Sequence, residues 1–88
     1  MLQQEVIVEN EMGFHARPAS LFAQTASKFK ADIFIEKDGK KVNGKSILGL
    51  MTLGIPKGAK INLIIEGEDQ TQALEELLKL FTNKFGEN

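Results

Sequence analysis

No cysteine occurs among the 88 residues, and there is a single histidine. Without thiols, neither a disulfide nor a thiolate metal site can hold the fold, and one imidazole is too few for a histidine-based zinc centre. Long apolar runs are missing as well: none approaches the roughly 20 residues that cross a bilayer. The chain opens on the polar "MLQQEV", not on a charged and then apolar leader. The expected location is therefore the cytoplasm, with no insertion into a membrane. Charge of one sign is lacking too. Eleven Lys and Arg against 12 Asp and Glu leave a net charge of −1, so no global field draws the chain to nucleic acid or a membrane surface. No linker, repeat or low-complexity stretch interrupts it, and residues 1–88 are expected to form one domain with a single, economically packed core.

The residues that are present are those of a globular chain, 42% hydrophobic and 26% charged. "EVIVE" (residues 5–9) is β-branched and alternating enough to be a strand. "GFHARP" then breaks the pattern. From Pro18 onward Ala19, Phe22, Ala26 and Phe29 recur at intervals of three and four, which predicts a helix, and Pro18 fits its first turn, where a missing N–H has no helical partner to lose. "ADIFIEKDGKKVNG" reads as a hairpin, with Ile33 and Ile35 on one face, a turn at Asp38-Gly39 and a return through Val42. "KSILGLMTLGIPKG" predicts a short, partly exposed helix capped by Ser46, and "KINLIIEGED" a fourth strand. "EDQTQALEELLKLFTNKF" predicts a long amphipathic helix that buries Ala73, Leu74, Leu77, Leu78, Phe81 and Phe85. The order βαββαβα implies an α+β fold: a four-stranded antiparallel sheet covered on one face by three helices.

The histidine, His15, falls at the junction between the first strand and the first helix. A neutral imidazole has a free ring nitrogen able to attack phosphorus, and the resulting phosphoramidate keeps a high transfer potential. The helix that starts just after it offers unpaired backbone N–H groups and the positive end of its dipole, and Arg17 can set a guanidinium against phosphoryl oxygens. Such a site accepts a dianion without a metal or other cofactor. Gly13 lets the chain turn so that the ring reaches a partner, and Pro18 holds the first helical turn. Each of these residues also has a plainer reading: a histidine that caps a helix or sits solvated, a surface arginine, a proline marking a helix start. Their adjacency favours the carrier.

"GFHARP" together with "KVNGKSILGLMTLG" resembles the histidine-containing phosphocarrier (HPr) family of the bacterial sugar phosphotransferase system, a resemblance that spans essentially the whole chain. It implies an open-faced β-sandwich. It also implies that His15 accepts phosphate on Nδ1 from enzyme I, itself phosphorylated by phosphoenolpyruvate, and passes it to the enzyme IIA domains of sugar transporters, with Arg17 as the matching arginine. The protein would be a carrier and a substrate of kinases, not an autonomous enzyme, and a monomer. No paired acid and base, metal constellation or nucleotide loop accompanies the histidine.

Ser46, alone, reads as a helix cap. "NGKSILGLM" is similar to the segment recognised by the ATP-dependent HPr kinase/phosphorylase, which makes Ser46 the expected regulatory phosphosite. In the family the serine-phosphorylated form is a corepressor for the catabolite control protein, so contact with DNA would be indirect. A phosphate there adds about two negative charges at a helix N-terminus, favourable to the helix and repulsive to an acidic docking surface. Ile47, Leu48 and Met51 lie in a helix too short to bury them all. They are core residues or, as the resemblance implies, the docking surface for enzyme I and IIA domains, together with the start of the first helix: Pro18, Leu21 and Gln24. Lys45 could add charge there.

Two features bear on how far the resemblance reaches. Many relatives have a hydroxyl residue or asparagine where this chain has Met12, whose thioether is a poor acceptor, so hydrogen bonding at the helix entrance has to rest on other groups. A related catabolite-repression protein has glutamine in place of the active histidine; His15 sets this chain apart from it. The alternative function is an HPr-like regulatory or interaction domain not coupled to sugar uptake.

Overall fold

In the computed structural model, which describes residues 1–87, the expected hairpin joins β2 (Asp32–Lys37) to β3 (Lys40–Asn43). Asp38 and Gly39 both take left-handed backbone, φ 52° and 83°, as a two-residue type I′ turn requires. Ile33 and Ile35 alternate onto the buried face. A longer strand, β4 (Lys60–Glu66), lies between β2 and β1 (Leu2–Ile7), giving the order β1-β4-β2-β3 with every neighbouring pair antiparallel.

Residues 5–9 carry the clearest alternation, yet β1 starts at Leu2 and ends at Ile7. Register accounts for the shift. Leu2 pairs with Ile65 and Ile7 with Lys60, so β4 draws the polar Gln3 and Gln4 into the ladder through backbone bonds that are indifferent to side chain. Val8, just beyond, turns inward to full burial while its N–H donates to the Ala59 carbonyl.

Three helices, α1 (Ala16–Ala26), α2 (Ile47–Thr52) and α3 (Gln70–Thr82), cover one face of the sheet. Phe22 of α1, Leu50 of α2 and Leu77 of α3 meet Ile33, Ile35, Ile61, Leu63 and Ile65 of the strands in a core where all are fully buried. The opposite face stays open, with Phe34, Asn62 and Ile64 only half-buried. This is the open-faced sandwich expected from the element order. Phe29 lies past the end of α1, half-buried against the core. On α3, Ala73, Leu77 and Phe81 are buried, whereas Leu74 and Leu78 flank the stripe half-buried. Phe85 is buried as expected but not by the helix: α3 ends at Thr82, and Phe85 enters the core from a 3-10 turn, Lys84–Gly86, with φ 55°.

A carboxylate ties the loop between α1 and β2 to the head of α3. Asp69 stands at the N-cap of α3 without capping it; its two oxygens instead accept the N–H groups of Lys30 and Ala31, both at 2.9 Å. The Lys30 bond is the main reason its carboxyl is held below the usual range, with the Ala31 bond and the charge of Lys45 acting the same way against partial desolvation. A carboxyl whose folded-state pKa is depressed stabilises the fold above its unfolded value, about 3.9, and ceases to do so as pH falls through the folded value. Asp69→Asn should therefore lower the thermal midpoint at pH 7, and the gap to wild type should close as pH drops below about 4. Melting curves across pH 2.5 to 7 check this, and a gap that is constant over that range would refute it.

Candidate phosphohistidine site

Between β1 and α1 the chain makes a tight turn that only glycine permits. Gly13 has φ 64°, its N–H donates to the Asn10 carbonyl at 3.0 Å, and a Cβ on it would collide with the carbonyl oxygen of Ile55 and the backbone of Pro56. Asn10 is 1% exposed, and its Nδ2 returns across the turn to the Gly13 carbonyl at 2.6 Å. Next in the chain, the Phe14 N–H donates to the Ile55 carbonyl at 2.8 Å, and the Phe14 ring packs with Phe22, Phe81 and Phe85 at centroid distances of 5.9, 6.0 and 5.2 Å. Asn10 and Phe14 were not singled out from the sequence. For Phe14 a signal existed, an aromatic at the edge of the break in periodicity; for a buried Asn in a polar stretch there was none.

His15 follows as the N-cap of α1. Its backbone is extended (φ −83°, ψ −170°), its side chain makes no capping bond, and its carbonyl accepts the first helical N–H, from Ala19, at 3.1 Å. Because Pro18 lacks an N–H, the uncapped donors of this first turn are those of Ala16 and Arg17, and neither has an acceptor among the described residues. The imidazole is 37% exposed. Its Nε2 lies 2.8 Å from Glu87 Oε2, which leaves Nδ1 without a hydrogen bond among the described residues. Arg17 is exposed and in no ion pair with a described residue; its guanidinium lies near Gly86, where a built Cβ would stand 3.8 Å from Nη2. An imidazole nitrogen, two backbone donors without an acceptor among the described residues and an exposed cation thus share the mouth of one helix, the arrangement that suits a tetrahedral dianion. Among the described residues no three His, Cys, Asp or Glu stand close enough to hold a metal ion, and no helix is long and apolar enough to cross a membrane.

The PTS HPr component phosphorylation site family model matches residues 2–83. The chain belongs to the HPr family. It is 54% identical to the HPr-like protein Crh of Bacillus subtilis over 88% of this chain and 91% of that one. To the phosphocarrier protein HPr of Neisseria meningitidis serogroup A it is 44% identical over 99% and 98%. The crystal structure of HPr-C-His from Thermoanaerobacter tengcongensis superposes with a TM-score of 0.96 at 49% identity, covering 100% of this chain and 99% of that one. The same organism's HPr has also been solved as a dimer, with a TM-score of 0.80, so similarity to the HPr family leaves the expectation of a monomer open.

The second motif lies at the head of α2. Ser46 is its N-cap, with Oγ accepting the Gly49 N–H at 3.0 Å. Leu50 points into the core, while Ile47, Leu48 and Met51 are 40%, 77% and 43% exposed. Of the residues expected at the start of the first helix, Gln24 is exposed and Leu21 half-buried against the core. Pro18 departs from the expectation of a contact residue: at the third residue of α1 it is fully buried and offers no surface to a partner. Lys45 is half-buried and spends its ammonium on the Phe29 carbonyl, at 2.8 Å, at the far end of α1. Met12 is 72% exposed and contributes no cap, and the α1 entrance is held by Asn10 and the Phe14 N–H instead.

Two glycines separate the collision at the site from the ordinary cost of left-handed backbone. Gly54 has φ 59° but open space where a Cβ would go. Gly54→Ala should cost about 1 kcal/mol, and Gly13→Ala, which must also push aside the Ile55–Pro56 backbone, about 2 kcal/mol or more. Urea unfolding of both variants measures the difference. Equal losses would mean that residues 55–56 yield freely and do not position His15.

Proposed function

We propose that the protein accepts a phosphoryl group on His15 Nδ1 from phosphorylated enzyme I and passes it to enzyme IIA domains of sugar transporters. The observation that carries this reading is an imidazole whose Nδ1 is unbonded among the described residues, beside the N–H groups of Ala16 and Arg17, which have no acceptor among them either. Chemically, those donors and the Arg17 guanidinium hold the phosphoryl oxygens while the phosphorus moves between nitrogen atoms, and the charge they meet is greatest in transit. Ile47, Leu48 and Met51 supply an apolar patch on which either partner can dock, since net charge provides no attraction. Ser46 is the site at which the HPr kinase/phosphorylase adds a regulatory phosphate, and the product serves the catabolite control protein.

A second reading, an HPr-like regulator uncoupled from uptake, is favoured by the higher identity to Crh than to the Neisseria HPr, 54% against 44%. The histidine at position 15 weighs against it. Both readings share Ser46; only the first needs His15.

Incubation with enzyme I and phosphoenolpyruvate should add one acid-labile phosphate to the wild type and none to His15→Ala, whose fold should persist because an exposed N-cap takes little from the core. Phosphate uptake by His15→Ala under those conditions would overturn the assignment, and none by the wild type would favour the regulatory reading. Ser46→Asp should raise the KM for enzyme I, because a charge beside the α2 patch must be desolvated or repelled on docking, and salt should relieve part of the effect through screening over roughly 10 Å. The phosphorylated protein, with more charge, should show the larger defect. Equal kinetics for all three forms would remove α2 from the docking surface.

A further inference from the structure

After α3 the chain does not trail away. Lys84, Phe85 and Gly86 turn with left-handed φ of 52°, 55° and 75°, Gly86 N–H donating to the Asn83 carbonyl and Glu87 N–H to that of Lys84. Residues with a Cβ resist this conformation, so two in succession need an anchor. Phe85 provides it: 2% exposed, it stands edge-on to Phe14 at 5.2 Å and to Phe81 at 5.0 Å. The turn brings the Glu87 carboxylate, 15% exposed, against the carrier histidine. Both oxygens are engaged, Oε2 with His15 Nε2 at 2.8 Å and Oε1 with the Nδ2 of buried Asn10 at 3.2 Å.

Building on the carrier reading above, we propose that Glu87, steered by Asn10, is a positioning residue that keeps the His15 proton on Nε2 and aims the Nδ1 lone pair at the incoming phosphoryl group. An ionised carboxylate only accepts hydrogen bonds, so a bond to it makes Nε2 the donor, and in the neutral ring Nδ1 is then bare. When Nδ1 bonds to phosphorus, the donor's bond to phosphorus breaks and its electron pair stays on the donor atom. The Nε2 proton does not move, and the ring becomes an N-phosphorylated imidazolium. Glu87 faces the positive charge as it develops, from the ring edge remote from the phosphoryl group. The reverse transfer runs through the same species.

The test is phosphorylation by enzyme I of the full chain, wild type, Glu87→Ala and Glu87→Gln, paired with nitrogen-15 NMR of the His15 ring. The wild-type ring should show a protonated, hydrogen-bonded Nε2 and a bare Nδ1. Glu87→Ala should shift the Nε2 resonance toward that of a solvated imidazole and lower kcat about tenfold with KM within twofold. Glu87→Gln, whose amide oxygen can still accept from Nε2 but carries no charge, should keep the wild-type ring pattern and recover part of the rate. Amide spectra that superpose away from residues 10–17 and 83–88 confirm that the variants are folded. Unchanged kcat in Glu87→Ala, a change in KM alone, or a wild-type ring protonated on Nδ1 would each overturn the role of Glu87 while leaving the carrier reading intact. A wild type that takes up no phosphate would overturn both.

Discussion

Phe14 is the pin on which the site depends. Its N–H is bonded to Ile55, and its ring touches Phe22 of α1, Phe81 of α3 and Phe85 of the terminal turn. A chain without cysteine has no disulfide with which to fix a loop, and a loop held by backbone hydrogen bonds and one buried aromatic transmits that rigidity to its neighbours along the backbone. His15 is the next residue. It can remain 37% exposed, as the proposed carrier role requires, and still hold a defined direction, because its backbone is set by the residue before it and the helix after it.

The same economy shapes α2. Six residues cannot bury four apolar side chains, and the one that goes inward is Leu50. The other three form an exposed patch whose cost in water is tolerated because the helix is held at its head by Ser46 and from below by Leu50. Ser46 thereby has two relations to one element. Its hydroxyl oxygen terminates the helix through the Gly49 N–H, and any charge added to that oxygen arrives beside the patch. The cap of the helix and the charge beside the patch are thus set at one atom, with no change of fold needed to connect them.

Most of the architecture was legible because it rests on local chemistry. Asp38-Gly39 specifies its turn, Ser46 its cap, and Ala73, Leu77 and Phe81 their face. What could not be read depends on tertiary partners. The start of β1 at Leu2 is decided by the length of β4, not by the glutamines that occupy it. Pro18 was expected at a contact surface because the resemblance places the start of the first helix there, but it is fully buried. Asn10 is a polar residue in a polar run, and only the return of the chain after Gly13 buries it. In the site, His15, Arg17 and Ser46 were visible as motif residues, whereas Asn10, Phe14 and Glu87 act through contacts that sequence spacing does not encode.

The separation between Asn10 and Glu87, 77 positions in sequence, shows what kind of information was missing. Read linearly, "KFGEN" is the end of the last helix, with Phe85 completing its buried stripe. In three dimensions that aromatic decides the geometry: burying Phe85 against Phe14 forces Lys84 and Phe85 into left-handed backbone, at a cost of order 1–3 kcal/mol for each. Burying a phenylalanine side chain returns about 1.5–3 kcal/mol, and each edge-to-face pair adds about 0.5–1.5 kcal/mol, so the two sides are close to balance. A terminal turn poised in this way persists only while Phe14 keeps its place. The residue that aims the histidine from the front therefore also holds in position the segment that meets it from behind.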